Sequence, residues 1–318
     1  MLADGVRNKL LYEAIAKNVT PTTSFLDIGA GTGVWAILAA KLGAKRVVAV
    51  EIEECLIPII YKHAQENGVA DKIKIIQGNS NDVKIRGKFD VIVSELFGSD
   101  AFGEETVKSF IDLKNRFLAP NGILIPHKLA IRAVPAHVEK TSRDFPAGLP
   151  VKCEFFRSLK LNYSQHVSLL ERGGIRFLTE PQKLLEIDFR SLEAAPPLEN
   201  LTSSWELDDP SEANAIVVFN HSTFTDDIEM DSFGSQSWGV GTYAFVPFVQ
   251  KSGVLKFTIT LDSKKGNWSV SLSSNGSVQS QSFSPVFAFT RMRMTQQVTP
   301  HKKFSKPKKP GKKARHKL

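Results

Sequence analysis

Residues 24–33 read Ser-Phe-Leu-Asp-Ile-Gly-Ala-Gly-Thr-Gly, and Val34-Trp-Ala-Ile-Leu-Ala-Ala follows directly. A short apolar run, three alternating glycines and an apolar helical segment predict a strand, a tight loop and a helix in that order. Glycines let the backbone turn through conformations closed to other residues and come close to a ligand. The start of the helix presents free N–H groups. A second apolar run, Arg46-Val-Val-Ala-Val, ends at Glu51, 24 residues beyond Asp27. An acid at the end of that strand can accept both hydroxyls of a ribose. Together these features predict an α/β domain built around a nucleoside-bearing cofactor. The plain alternative is a glycine-rich turn that binds nothing.

The order of residues narrows the cofactor. Dinucleotide sites favour Gly-x-Gly-x-x-Gly, whereas this chain has Asp27-x-Gly29-x-Gly31-x-Gly33. An acid beside the loop can meet an amino group but would repel a pyrophosphate. The pattern resembles motif I of the class I S-adenosylmethionine methyltransferases. That resemblance implies S-adenosyl-L-methionine as cofactor and Asp27, Gly29, Gly31 and Glu51 among its contacts.

The remaining periodicities extend this frame. Apolar residues at Val6, Leu10, Leu11, Ala14 and Ile15 predict a helix over 6–17, closed by Thr20-Pro21. Strands are predicted at 24–28, 46–50, 72–77 and 89–94, with helices over 53–67 and 106–117 and a turn into a further strand over 118–126. Alternating strand and helix imply a doubly wound parallel sheet in residues 1–126. Beyond Pro126 the pattern changes to strand-like runs at 129–134, 184–189, 214–219, 242–249, 254–261 and 267–272. These are separated by Asn, Gly, Ser and Pro, so an antiparallel β-barrel or sandwich domain is expected over 127–291. Residues 140–180 mix aromatics with charge and suggest an inserted helical arm.

Charge is concentrated at one end. The net charge is +8, yet nine Lys/Arg and no acid fall within 302–318, which leaves −1 for residues 1–301. Residues 292–318 are expected to be a disordered basic extension that contacts nucleic acid or an acidic protein, or that serves only to solubilise. Two cysteines, Cys55 and Cys153, make neither a disulfide framework nor a metal site. His63, His127, His166 and His221 lack ligand spacing, so no zinc is expected. No apolar run reaches membrane-spanning length, and Met1–Arg7 lacks the layout of a secretory signal. A reducing, cytoplasmic setting is therefore expected, or a nuclear one in a eukaryotic host.

The fourth strand runs into Ser94-Glu95-Leu96-Phe97-Gly98-Ser99-Asp100-Ala101-Phe102-Gly103-Glu104-Glu105. In a doubly wound sheet this loop lies at the carboxyl edge, beside the cofactor. Two carboxylates on a glycine-containing hairpin can match the planar fork of donors on a guanidinium. Here the chain resembles the protein arginine methyltransferases, whose double-E loop has the spacing of Glu95 and Glu104. The resemblance extends to Met1-Leu-Ala-Asp-Gly-Val-Arg7, where Arg7 takes the place of the arginine that binds the cofactor carboxylate. It also covers Gly78-Asn-Ser-Asn-Asp82-Val83, with Ser80 and Asn81 at adenine-contacting positions, and the passage from Leu118 to Pro126. Ser235-Gln-Ser-Trp238 falls where the family has a Thr-His-Trp loop.

This resemblance implies methyl transfer to a guanidinium nitrogen of protein arginine by direct displacement. Glu95, Glu104 and Trp238 would be the catalytic residues, and the fold a Rossmann-like methyltransferase domain followed by a β-barrel. It further implies a homodimer, with residues 140–180 as the candidate arm. The family's Tyr-Phe-x-x-Tyr helix, expected ahead of Met1, has no counterpart in these residues, and Ser237 replaces the loop histidine. Leu96-Phe97 replaces Trp-Met, and Asp100 adds an acid, although a solvated loop acid is its plainer reading. Those departures favour mono- or symmetric over asymmetric dimethylation. Plainer alternatives stand beside the other residues: Glu105 could replace Glu104, and Trp238 could be core. The acceptor could instead be another amine, a ribosomal protein or a nucleic acid. The protein could also be a catalytically weak scaffold. A base acceptor is disfavoured because Ser94-Glu-Leu-Phe stands where Asn/Asp-Pro-Pro-Tyr/Phe would be.

Overall fold

The computed structural model describes residues 1–96, 104–139, 165–167, 174–245, 247–248, 253–262 and 267–283. Its first layer is a five-stranded parallel sheet of β1 (Ser24–Ile28), β2 (Arg46–Glu51), β3 (Ile73–Gln77), β4 (Phe89–Ser94) and β5 (Leu118–Ile125). The strands lie in the order β3-β2-β1-β4-β5. Helices α1 (Gly5–Asn18), α2 (Val34–Lys41), α3 (Ile57–Glu66) and α4 (Glu104–Phe117) accompany it. The near-continuous burial of β1, β2 and β4 fits strands covered on both faces.

This order sets where chemistry can occur. From β1 the chain winds outward through β2 and β3, then returns to the other side of β1 as β4. The switch point therefore lies between β1 and β4, where α/β sheets open a crevice at their carboxyl ends. In register, Ile28 lies beside Val50 on one side and Ser94 on the other. The glycine loop, Glu51 and Glu95 consequently emerge at one edge.

The second domain is antiparallel. One sheet contains β6 (Lys128–Val138), β7 (Gln165–Val167), β8 (Ile175–Phe177), β9 (Gln182–Asp188), β11 (Ala215–Thr225), β12 (Ile228–Asp231) and β13 (Val240–Ala244). The other runs β10-β14-β15-β16, from β10 (Leu201–Leu207), β14 (Gly253–Asp262), β15 (Asn267–Ser274) and β16 (Ser277–Phe283). The architecture is a Rossmann-like domain followed by an antiparallel barrel-type domain, as the sequence implies. One hydrophobic core joins the two, running from Leu26, Val48 and Ile92 through Ile131 to Trp205 and Phe257. A smaller cluster of Val134, Val217, Phe219 and Val240 packs under Phe177 and Phe233, whose rings meet edge to face at 4.9 Å.

Several local expectations change. The helix predicted over 53–67 begins as a 3-10 turn at Glu54–Leu56 and becomes α-helical only at Ile57, with Pro58 in its first turn. Pro lacks an N–H and suits that position. The turn expected within 118–126 is absorbed into β5, where Asn121 adopts a φ of 62°. Of the candidate arm, the described parts 165–167 and 175–177 are strands rather than helix, because each pairs with a neighbour in the sheet. Arm residues 140–164 and 168–173, the loop 97–103 and the basic extension 292–318 lie outside the described residues. β10, rich in Ser and Thr, was not predicted, although Ser203, Trp205 and Leu207 alternate inward.

α1 links the two domains at both of its ends. Asp4 caps its start and Lys17 in its last turn pairs with Asp227 beside the β11–β12 hairpin. This exposed Lys17 pair contributes little by itself. The buried end at Asp4 is different in kind.

Candidate functional site

Gly29, Gly31 and Gly33 all take positive φ, at 70°, 57° and 81°. At Gly29 a Cβ would stand 2.6 Å from Leu96 Cδ2, and at Gly33 one would stand 2.6 Å from Ile60 Cγ2. Both the conformation and the space demand glycine. Leu96, the residue after Glu95, thus packs directly onto the glycine loop.

Glu51 is buried and holds this loop from below. Its Oε2 accepts the Gly31 N–H at 2.6 Å, while Oε1 accepts those of Ile52 at 2.9 Å and Glu53 at 3.0 Å. A carboxylate has about four acceptor positions, so most of its capacity is occupied by backbone. The sequence presents Glu51 as a ribose acceptor; the fold also makes it the strut of the glycine loop.

Asp27 lies deeper than expected. It is 1% exposed, and its Oδ2 accepts the Ala36 N–H at 3.0 Å, in the first turn of α2. Burial pushes its carboxyl up to about 7; the Ala36 N–H opposes this and the nearby charge of Glu51 adds to it. Near neutral pH the group therefore exchanges its proton.

Ser80 and Asn81 follow β3, and Gln77 lies in register with Glu51. Their turn is tightly built. Asn79 accepts the N–H groups of Asp82 and Val83 through its carbonyl and that of Asn81 through its side chain. The Gly78 N–H donates to the Glu51 carbonyl at 2.9 Å. Ser80 is half-buried and Asn81 exposed.

Glu95 is the convergence point. Arg7 Nε donates to Glu95 Oε1 at 2.7 Å, and Arg7 Nη2 pairs with Oε2. Trp238 Nε1 donates to the same Oε1 at 2.8 Å. The Arg7 and Glu95 side chains are only 5% and 7% exposed. Arg7 Nη1 also donates to Asn8 Oδ1 at 2.6 Å, and its guanidinium lies 5.9 Å from the centre of the Trp35 ring. Burial lowers the Arg7 pKa, and the charge of Asp4 opposes the shift. A side-on arginine and an indole N–H fix both carboxylate oxygens in orientation. Trp238 therefore serves the core and the site together: its ring packs edgewise on Phe224 while its N–H reaches Glu95.

The sequence reading overlooks Asp4 as a site residue. Asp4 is 1% exposed, and its Oδ1 accepts the Arg7 N–H at 3.1 Å, capping α1. Its Oδ2 accepts Ser235 Oγ at 2.6 Å, Ser237 Oγ at 2.7 Å, and the backbone N–H groups of Gln236 at 2.8 Å and Ser237 at 2.9 Å. Burial raises its pKa, but the two hydroxyls and the Arg7 and Ser237 N–H groups outweigh burial and hold it below the ordinary carboxylate value. One side chain thus joins the helix that carries Arg7 to the loop that carries Trp238. The available signal was its place three residues before Arg7, which is N-cap spacing.

Glu104 opens α4, but its side chain and Asp100 lie outside the described residues. The structure brings Arg7, Glu95 and Trp238 into one cluster, with the glycine loop, Asp27 and Glu51 at the same sheet edge.

The ribosomal protein L11 methyltransferase (PrmA) family model matches residues 8–126. The ribosomal protein arginine N-methyltransferase rmt3 of Schizosaccharomyces pombe is 37% identical over 129 residues, covering 40% of this chain and 24% of that protein. The protein arginine N-methyltransferase PRMT10 of Oryza sativa subsp. japonica is 36% identical over 132 residues, covering 40% of this chain and 33% of that protein. These matches therefore cover a third or less of the relatives' own length. Among solved structures, a chain of the Trypanosoma brucei PRMT1 enzyme-prozyme complex superposes with a TM-score of 0.75 at 21% identity, over 89% of this chain and 96% of that one. Arabidopsis thaliana protein arginine methyltransferase 10 gives 0.71 at 17%, over 89% and 95%. At these identities the superpositions show a shared two-domain fold.

Proposed function

We propose that the chain is an S-adenosyl-L-methionine-dependent methyltransferase that modifies a guanidinium nitrogen of protein arginine, with mono- or symmetric dimethylation as the outcome. The observation that carries this reading is the buried carboxylate of Glu95 at the switch point, oriented by Arg7 and Trp238. The residues present fit the cofactor: a glycine loop that meets no side chain at Gly31, two acids beneath it, and a buried guanidinium on α1 paired with Glu95 at the end of β4. Arg7 would hold the carboxylate of the cofactor, Glu51 its ribose, and Ser80 and Asn81 its adenine. Gly29 and Gly31 would let it approach the backbone, with Asp27 beneath. When bound, the cofactor supplies an electrophilic methyl group on a sulfonium.

The acceptor then requires orientation and charge balance. Glu95 would receive the substrate guanidinium on the acceptor capacity that Arg7 and Trp238 leave open, and Glu104 would take its other edge. Holding the positive charge toward these carboxylates leaves one nitrogen lone pair free to attack. Negative charge fixed in a water-poor cleft offsets two cations that would otherwise repel. Ser237, turned onto Asp4 in place of a histidine, leaves no imidazole at that position to move a proton.

The test incubates the protein and S-adenosylmethionine with an Arg/Gly-rich peptide and with its Lys-for-Arg copy, read by mass spectrometry. Addition of one or two methyl groups to the Arg peptide alone supports the reading, and fragment ions assign the product. Cofactor binding without transfer to either peptide would favour a different acceptor or a scaffold role.

A ribosomal protein is the favoured substrate class, because the family model spanning 8–126 and the relative rmt3 both carry that description. Transfer to ribosomal proteins in stripped ribosomal subunits, and none to histones, is the expected result. A homodimer completes the proposal, tested by sedimentation at micromolar concentration.

A further inference from the structure

We propose that Arg116 is a positioning residue for the adenine end of the cofactor site, acting through the turn that carries Ser80 and Asn81. The inference rests on the proposed nucleoside-cofactor reading and extends it to a residue on α4 that no motif marks. Arg116 lies in the last turn of α4, yet its guanidinium reaches out of that helix. Its Nη1 donates to the Val83 carbonyl at 2.9 Å and its Nη2 to the Ser80 carbonyl. Its Nε donates to Asp112 Oδ1 at 2.7 Å, one helical turn back, while Nη2 also pairs with Asp112 Oδ2. The Phe117 ring centre lies 4.3 Å from the guanidinium carbon.

The geometry is that of a clamp. Ser80 and Val83 are the two ends of a short turn, and one planar group holds both of their carbonyls. Asp112 fixes the plane of that group in turn. Inside the turn, bonds to Asn79 set its shape, and Gly78 leaves room for Val83, whose Cγ1 would meet a Cβ there at 2.9 Å. Those local bonds give the turn a form but not a position relative to the sheet. The Gly78 N–H bond to the Glu51 carbonyl anchors one end, and Arg116 anchors the other. Because α4 begins at Glu104, the same clamp ties the helix behind the second proposed catalytic acid to the turn that would contact adenine. Lysine cannot replace the fork, since it presents a point charge rather than a plane of donors.

The test uses the full chain carrying Arg116→Lys, Arg116→Gln or Asp112→Asn. Binding of S-adenosylhomocysteine and of 5′-methylthioadenosine, which has the adenine and ribose but no amino-acid end, is measured by calorimetry. The acceptor-peptide KM and kcat are measured at saturating cofactor. The expected result is a loss of at least about tenfold in affinity for both ligands with either Arg116 variant and a smaller loss with Asp112→Asn. The peptide KM should stay within twofold, and the melting temperature near that of the parent.

Unchanged affinity in all three variants would overturn the proposal. So would a loss confined to S-adenosylhomocysteine, which would put the effect at the amino-acid end. An Arg116 variant that does not fold leaves Asp112→Asn to decide, since it keeps both donors to the turn and removes only their orientation. Failure of the unmodified protein to bind either ligand would instead overturn the cofactor reading itself.

Discussion

Asp4→Asn is the most demanding perturbation of this site. It exchanges one carboxylate oxygen for an amide and leaves the side-chain volume unchanged. In the parent, Oδ2 accepts from two hydroxyls and two backbone N–H groups, and Oδ1 accepts the Arg7 N–H. An asparagine that keeps its oxygen on the Arg7 side turns an NH2 toward donors. The hydroxyls can rotate away, but the N–H groups of Gln236 and Ser237 cannot. A hydrogen bond to a charged group contributes about 1.5–3 kcal/mol, and a buried donor left unpaired costs about 1–3 kcal/mol. With the hydroxyls partly adapting, the loss should be about 3 kcal/mol. Asp4→Ala, which also removes the helix cap, should lose about 4 kcal/mol. Against a typical total of about 5–15 kcal/mol, both variants remain folded and weakened.

The assay is urea denaturation with circular dichroism, repeated from pH 8 to pH 3. The folded pKa of Asp4 lies below its unfolded value, so its contribution is complete above about pH 4 and disappears as pH falls through the folded pKa. The gap between parent and Asp4→Asn should therefore be constant from pH 8 to pH 5 and narrow below pH 4. Methyl transfer should fall further than stability accounts for, because the loop holding Trp238 loses its anchor. A gap under about 1 kcal/mol with activity retained would refute the assignment of Asp4 as the joint between α1 and this loop.

Glu95→Gln keeps one acceptor oxygen but removes the charge, and should lower kcat/KM by about 10²–10³, or about 3–4 kcal/mol, in a peptide methyl-transfer assay. Trp238→Phe keeps an aromatic ring beside Phe224 and removes the N–H on Glu95; kcat/KM should drop about tenfold, and the smaller ring should lower stability by about 1 kcal/mol in urea denaturation. Gly29→Ala puts a methyl group into Leu96 at a φ of 70° and should weaken S-adenosylhomocysteine binding by calorimetry at least about tenfold. Asp27 has a raised folded pKa, so its contribution is complete below about pH 4 and is lost as pH rises through about 7. Up to about 4 kcal/mol of pH-dependent stability follows, and Asp27→Asn should flatten that slope in urea titrations at pH 5.5 and pH 8. If a cationic cofactor group settles near Asp27, binding at pH 7 should release a proton in the parent and none in Asp27→Asn.

The first domain was legible from the chain because its signals are local. Val47–Val50 and Val91–Val93 are apolar enough to be central strands, and the glycines mark a conformation that side chains resist. Asp27, Glu51 and Glu95 could each be placed at a strand end by periodicity alone. Periodicity served less well in the second domain. β10 alternates correctly, but its inward positions include Ser203 beside Trp205 and Leu207, and a serine does not register as core. The strands at 165–167 and 175–177 are three residues each, and only their partners β13 and β6 define them as strands.

What the tertiary structure alone decided is which residues meet. A motif can nominate Arg7 for a cofactor and Glu95 for a substrate, but nothing local in the chain says that the two form one buried ion pair. Nor could sequence show that Asp4 reaches across 231 positions to Ser235, or that Arg116 holds the turn at Ser80. Such contacts carry no periodic signature. They depend on how α1 docks between two domains and how α4 lies against the sheet, and burial of whole faces sets those placements. Local backbone preference therefore wrote the elements and their order into the sequence, while the charges that operate at the site found their partners only when the packed faces brought them together.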